Sequence, residues 1–80
     1  MNFVFNIHDP VALLVDTSAS HFDTNEPIRL KRGQLGTIVM VYDDQTYEVE
    51  FADACGRTYA LLPIRSEQLM RLYHIADTAA

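Results

Sequence analysis

The chain has 80 residues, 49 % of them hydrophobic and 21 % charged, with a formal net charge of −5. That balance is globular rather than disordered. A domain of this size buries only about 60 % of its unfolded surface, which leaves little depth for an enclosed cleft of ~300 Å³ or more. The size points away from an enzyme, and the acidity points away from nucleic acid, because phosphate binding favours a basic surface.

Cys55 is the one cysteine, so no intramolecular disulfide forms and no CxxC pair offers a structural zinc site. The opening MNFVFNIHDP has no basic region followed by a long apolar run, and no stretch is apolar enough to span a membrane. The expected compartment is the cytoplasm, and no cofactor is expected.

In chain order, Phe3 to Ile7 alternates apolar and polar residues and reads either as an edge strand or as a lead-in, before Asp9-Pro10 breaks the chain. Val11 to Asp16 is the first strand. Thr17 to Pro27 is rich in turn formers and reads as one long loop, anchored by Phe22. Ile28 to Gln34 turns the chain, with Gly33 expected at a positive φ and Gly36 expected to allow close backbone approach or a bulge. Thr37 to Tyr42 is the second strand, Asp43 to Thr46 a polar hairpin turn, and Tyr47 to Ala52 the third strand. Asp53 to Gly56 is a tight turn, Arg57 to Leu62 the fourth strand, and Pro63 is expected to end it. Ser66-Glu67-Gln68 reads as a single 3₁₀ turn before the closing strand Leu69 to Tyr73. The domain plan is a lead-in or edge strand over 1–8, a barrel over 9–73 and a flexible tail over 74–80.

The two-residue period assigns faces. On the third strand Tyr47, Val49 and Phe51 point inward, while Glu48 and Glu50 face solvent because carboxylates are almost never buried unpaired. Carried across to the second strand, strict alternation sends Val39 and Val41 inward and leaves Ile38, Met40 and Tyr42 outward. The expected core is Val11, Leu13, Val39, Val41, Tyr47, Val49 and Phe51. The expected partner-binding face is Ile38, Met40, Tyr42, Glu48 and Glu50, apolar anchors with an acidic rim suited to a basic protein.

No catalytic or metal-binding residue is expected. His8, His21 and His74 are scattered along the chain, Asp43-Asp44 are turn residues, and Cys55 has only Arg57 near it as a source of thiolate stabilisation. The absence of tryptophan argues against an aromatic groove for proline-rich peptides.

Five short strands, a long first loop, tight hairpins and a 3₁₀ turn before the last strand look like an all-β, five-stranded SH3-like barrel. The block from Asp9 to Leu72 also resembles a bacterial domain-of-unknown-function family, number 4926. The resemblance rests on Asp9-Pro10-Val11-Ala12-Leu13, Leu30 to Val39, Val41-Tyr42, Tyr47 to Phe51, Gly56-Arg57-Thr58 and Gln68-Leu69. It implies an SH3-like fold and no assigned activity. Short genes of this type often sit in two-gene modules, which implies an antitoxin- or immunity-like role beside a neighbouring gene product. Lys31-Arg32-Gly33, with Gly36 and Ile38-Val39, is also similar to a KOW motif, in which Arg29, Lys31 and Arg32 would contact nucleic acid. Five acidic residues from Asp43 to Asp53 oppose that alternative. The expectation is therefore a non-enzymatic protein-interaction module, as a heteromeric complex or a homodimer.

Overall fold

A computed structural model describes residues 4–73 and residue 76. Phe3 and almost all of the expected tail lie outside the described residues. The elements are β1 (Pro10–Leu13), β2 (Thr17–Ser20), β3 (Pro27–Leu30), β4 (Leu35–Val41), β5 (Thr46–Ala52), β6 (Thr58–Arg65), a 3₁₀ turn (Ser66–Gln68) and β7 (Leu69–Arg71). The fold is all-β. One antiparallel sheet has the order β6-β5-β4-β1-β7, and β2 pairs with β3 in a separate two-stranded ribbon.

The expected closed, five-stranded barrel is corrected on two counts. The five-stranded sheet is open, with β6 and β7 as its edges. The stretch read as one long loop, Thr17 to Pro27, contains β2, and the first three residues of the expected Ile28–Gln34 turn belong to β3, with the β2–β3 pairing running from Thr17 opposite Leu30 to Ser20 opposite Pro27. Short polar strands such as Thr17-Ser18-Ala19-Ser20 carry no apolar run, so only the pairing reveals them. Phe22, expected as an anchor, is 54 % exposed at the ribbon tip. The tether is made instead by its backbone N–H, which donates to the Tyr59 carbonyl at 2.8 Å, and by Arg57 paired with Asp23 at 3.0 Å.

β6 also continues through Pro63, which was expected to end it. Pro63 lies opposite Glu48 in an edge strand, where a missing backbone donor leaves no gap in the ladder if it faces away from the neighbour.

The core forms on the sheet face that the ribbon covers. Tyr47, Val49 and Phe51 are fully buried along β5, and the register sets them opposite Ile64, Leu62 and Ala60 of β6. Val11 and Leu13 of β1, Leu30 of β3 and Leu69 of β7 complete the buried cluster. Gly36 faces the same interior. A β-carbon there would sit 2.7 Å from Val49 Cγ1 and 2.9 Å from Phe51 Cε1, so the glycine is required by the close approach of the two strands.

The lead-in belongs to this core. Phe5 is buried with its ring edge-on to Tyr47, 5.2 Å between centroids, and the Val4 and Phe5 backbone N–H groups donate to the Tyr47 hydroxyl. The His8 N–H donates to the Ile38 carbonyl, and the Ile38 N–H to the Asp9 carbonyl, which fastens the segment to β4.

Between Ile38 and Met40 the β4–β5 register shifts: Ile38 is opposite Val49, and Met40 is opposite Glu48. Val39 is the extra residue of a bulge, so parity reverses there. Ile38 is therefore fully buried and Val39 is exposed, the opposite of the face assignment made from strict alternation. Ile38 leaves the expected partner-binding face and Val39 leaves the expected core.

Candidate functional site

With the ribbon on the inner face, the outer face of the five-stranded sheet has no protein layer over it. Register arranges its side chains in rows that cross the strands. One row runs Leu61 (β6), Glu50 (β5), Thr37 (β4), Pro10 (β1) and Leu72, whose N–H donates to the Pro10 carbonyl. A second contains Ala52, Leu35, Ala12 and Met70, with Leu35 opposite Ala12 and Ala12 opposite Met70. A third holds Pro63, Glu48 and Met40, with bulged Val39 beside them. Leu35 is 64 % exposed and Met70 48 %, and Leu61 is exposed as well. Between the first two rows lies an open trough of about 250 Å³ lined by Pro10, Leu35, Gly36, Thr37, Glu50, Ala52 and Leu72.

The charges on this face are the carboxylates of Glu48 and Glu50 and, opposite Thr46 at one end, Arg65, which is ion-paired with Glu67. The Thr58 hydroxyl donates to Glu50 Oε2 at 2.5 Å, and the Tyr42 hydroxyl donates to Glu48 Oε1 at 2.9 Å. Each carboxylate is held by a neutral hydroxyl. The ion pairs among the described residues are Arg57–Asp23, Arg65–Glu67 and Arg71–Asp9, so neither Glu48 nor Glu50 is neutralised by a cation. The hydrogen bond to Glu48 raises the Tyr42 pKa, with smaller contributions from desolvation and then from the carboxylate's charge, because all three favour the neutral phenol.

Of the five residues expected to bind a partner, the structure brings Met40, Tyr42, Glu48 and Glu50 to the outer side and buries Ile38. Sequence reasoning missed the centre of the surface: Leu35, Leu61, Pro10 and Leu72. The available signal was that Leu35 and Leu61 lie at outward positions once the pairing is known; no local pattern distinguishes them.

The basic residues of the alternative site occupy another region. Arg29 lies on β3, Lys31 and Arg32 begin the β3–β4 turn, and all three are exposed. Asp16 Oδ1 accepts the Arg32 backbone N–H at 2.8 Å, which sets an acidic group among them. Gly33 turns the chain there at φ 89°. Among the described residues no group of three or more His, Cys, Asp or Glu is arranged to hold a metal ion. His21 Nδ1 accepts the Asp23 N–H, and Cys55 is exposed in the Asp53–Gly56 turn, where Asp53 Oδ1 accepts the N–H groups of Cys55 and Arg57. These are turn-building contacts. No helix among the described residues is long and apolar enough to cross a membrane.

A family model described as a domain of unknown function (DUF4926) matches residues 7–71. No curated protein and no solved structure matches the chain.

Proposed function

Because the chain belongs to the domain-of-unknown-function family DUF4926, whose description carries no activity, we propose its role from its surface: it is a non-enzymatic interaction module that presents the outer face of its five-stranded sheet to a basic protein. The observation that carries this reading is the apolar surface of Leu35, Leu61, Met70 and Leu72 around two carboxylates that no described cation neutralises. Sheets ordinarily bury an apolar face against a second layer, and here the second layer covers only the inner face. A partner that supplies that layer removes apolar area from water and brings cations to Glu48 and Glu50.

The trough is open and smaller than the ~300–1,000 Å³ of ordinary small-molecule sites, which favours a macromolecular contact over a substrate pocket. The strand order, the ribbon between the first two sheet strands and the 3₁₀ turn before the last support an SH3-like architecture for the module. A cytoplasmic partner encoded by a neighbouring gene, in an antitoxin- or immunity-like pair, suits a small acidic module that acts by covering a basic surface.

Co-purification of the tagged chain from its native host, followed by mass spectrometry, tests the reading. Leu35→Asp should release the captured basic protein while the far-ultraviolet circular dichroism stays that of the parent. Capture that is indifferent to Leu35→Asp would refute the outer face as the site.

One observation favours the nucleic-acid reading. Arg57, Arg65 and Arg71 are ion-paired, whereas Arg29, Lys31 and Arg32 form no ion pair among the described residues. If that group binds phosphate, retention on a mixed RNA pool falls steeply with salt and is lost in the Lys31→Glu, Arg32→Glu double variant. The net charge of −5 opposes it, and no retention near physiological salt is the expected result.

A further inference from the structure

The trough on the outer face also restricts what kind of segment can fill it, and this deduction rests on the interaction reading above. We infer that its occupant is an amphipathic α-helix of a partner protein, with an aliphatic anchor against Pro10 and Leu72 and a lysine or arginine two turns away at Glu50.

The geometry comes from the register. Pro10 is opposite Thr37, and Thr37 is opposite Glu50, so the apolar end and the carboxylate are separated by two inter-strand spacings, about 9.6 Å. Seven residues of α-helix rise ~10.5 Å and return to nearly the same face, so positions i and i+7 of one helix reach both ends together. Glu50 has one oxygen occupied by the Thr58 hydroxyl and no described cation partner, which leaves acceptor capacity toward the trough for a charged donor.

Other occupants fit less well. An extended segment laid across a sheet face meets no backbone donors or acceptors, because those lie in the sheet plane, and its own would go unpaired; a helix satisfies its backbone internally. An extended segment added at an edge meets Pro63 within β6 on one side and the three-residue β7 on the other. A second copy docked face to face about a two-fold axis would enclose Glu48 and Glu50 of both copies in one interface and bring them no cation that is not already ion-paired among the described residues of that face.

The test uses the full chain, isotope-labelled, and three synthetic helical peptides. The first carries leucine at i and lysine at i+7 on one face, the second has glutamate in place of that lysine, and the third moves the lysine to the opposite face. The first peptide should bind, shifting the amide signals of Leu35, Thr37, Glu50 and Leu72, and the other two should bind at least about tenfold more weakly. Glu50→Gln, which keeps the shape of the side chain and its acceptor for Thr58, should erase the preference for lysine without altering the remaining amide spectrum.

Equal binding of all three peptides overturns the proposal, as does no binding of the first at about 1 mM. Signals that move mainly over Lys31 to Gln34 overturn it too, as does self-association of the free chain strengthened by Glu50→Gln, which would make a second copy the occupant. If a native partner is captured in a Leu35-dependent way while the peptides show no preference for lysine, the interaction reading survives and the helix does not. Loss of both outcomes rejects both.

Discussion

Gly36 has no room for a β-carbon because Val49 and Phe51, both fully buried, already occupy the space. Gly36→Ala is expected to destabilise the fold by about 1–3 kcal/mol, the usual effect of overpacking. Thermal unfolding would show it, since each kcal/mol moves the midpoint roughly 4–8 °C in a domain of this size. Gly33→Ala differs in kind: it meets no neighbour but imposes φ 89° on an alanine, so its smaller effect is backbone strain. The Tyr42 phenol donates to Glu48, and its pKa is raised first by that hydrogen bond and then by desolvation and the adjacent charge. The neutral phenol is the favoured form in the folded state. Its contribution is therefore intact below the ordinary tyrosine pKa and is lost as pH rises through the elevated value. Glu48→Ala should bring the Tyr42 titration, followed by NMR of ring-labelled tyrosine, back down toward the range of an exposed phenol. An unchanged titration would show that the contact is not maintained in solution.

Within elements, the bulge in β4 decides which residues are core. Strict alternation reads Val39 inward and Ile38 outward, while the shift between Ile38 and Met40 buries Ile38 completely and exposes Val39. The contrast is testable with one substitution at two adjacent positions. Ile38→Asp should unfold the domain by placing an unpaired charge in a thin core, and Val39→Asp should leave it folded, as read by the dispersion of amide proton signals. On β5, which has no ambiguity, Val49→Asp should behave like Ile38→Asp, and Glu48→Lys like Val39→Asp. The β5 faces were legible because Tyr47-Glu48-Val49-Glu50-Phe51 alternates apolar with charged residues and both glutamates must avoid burial. In β4 every residue from Ile38 to Val41 is apolar, so composition marks no face, and the pairing with β5 supplies the missing information.

For the whole molecule, the lead-in is part of the fold it was expected merely to precede or to edge. Phe5 is buried against Tyr47, whose hydroxyl accepts the Val4 and Phe5 N–H groups. Phe5→Ala should cost about 3 kcal/mol by the usual penalty for emptying an aromatic site, and chemical denaturation would measure it. Deleting residues 1–8 removes the same contact, so light scattering of that truncation must be read together with its stability before a change in mass is assigned to lost assembly. The ribbon is held differently: its tip is joined to β6 by one backbone hydrogen bond and by the exposed Arg57–Asp23 pair. An exposed ion pair contributes at most about 1 kcal/mol, so Arg57→Ala should change stability little.

The local chemistry of the chain determined that it would be all-β, that Gly33 and Gly56 would turn it at positive φ, the 3₁₀ turn at Ser66–Gln68 and the inward face of β5. Those properties depend on the backbone preferences of a few neighbouring residues and on the cost of burying charge. Tertiary pairing decided that Thr17–Ser20 and Pro27–Leu30 form a ribbon, that β6 passes through Pro63, that Ile38 is core, and that Leu35, Leu61, Pro10 and Leu72 share an outer face with Glu50. The physical reason is that a strand's hydrogen-bond partners and its bulges are properties of two chains side by side. No short window of one strand contains them.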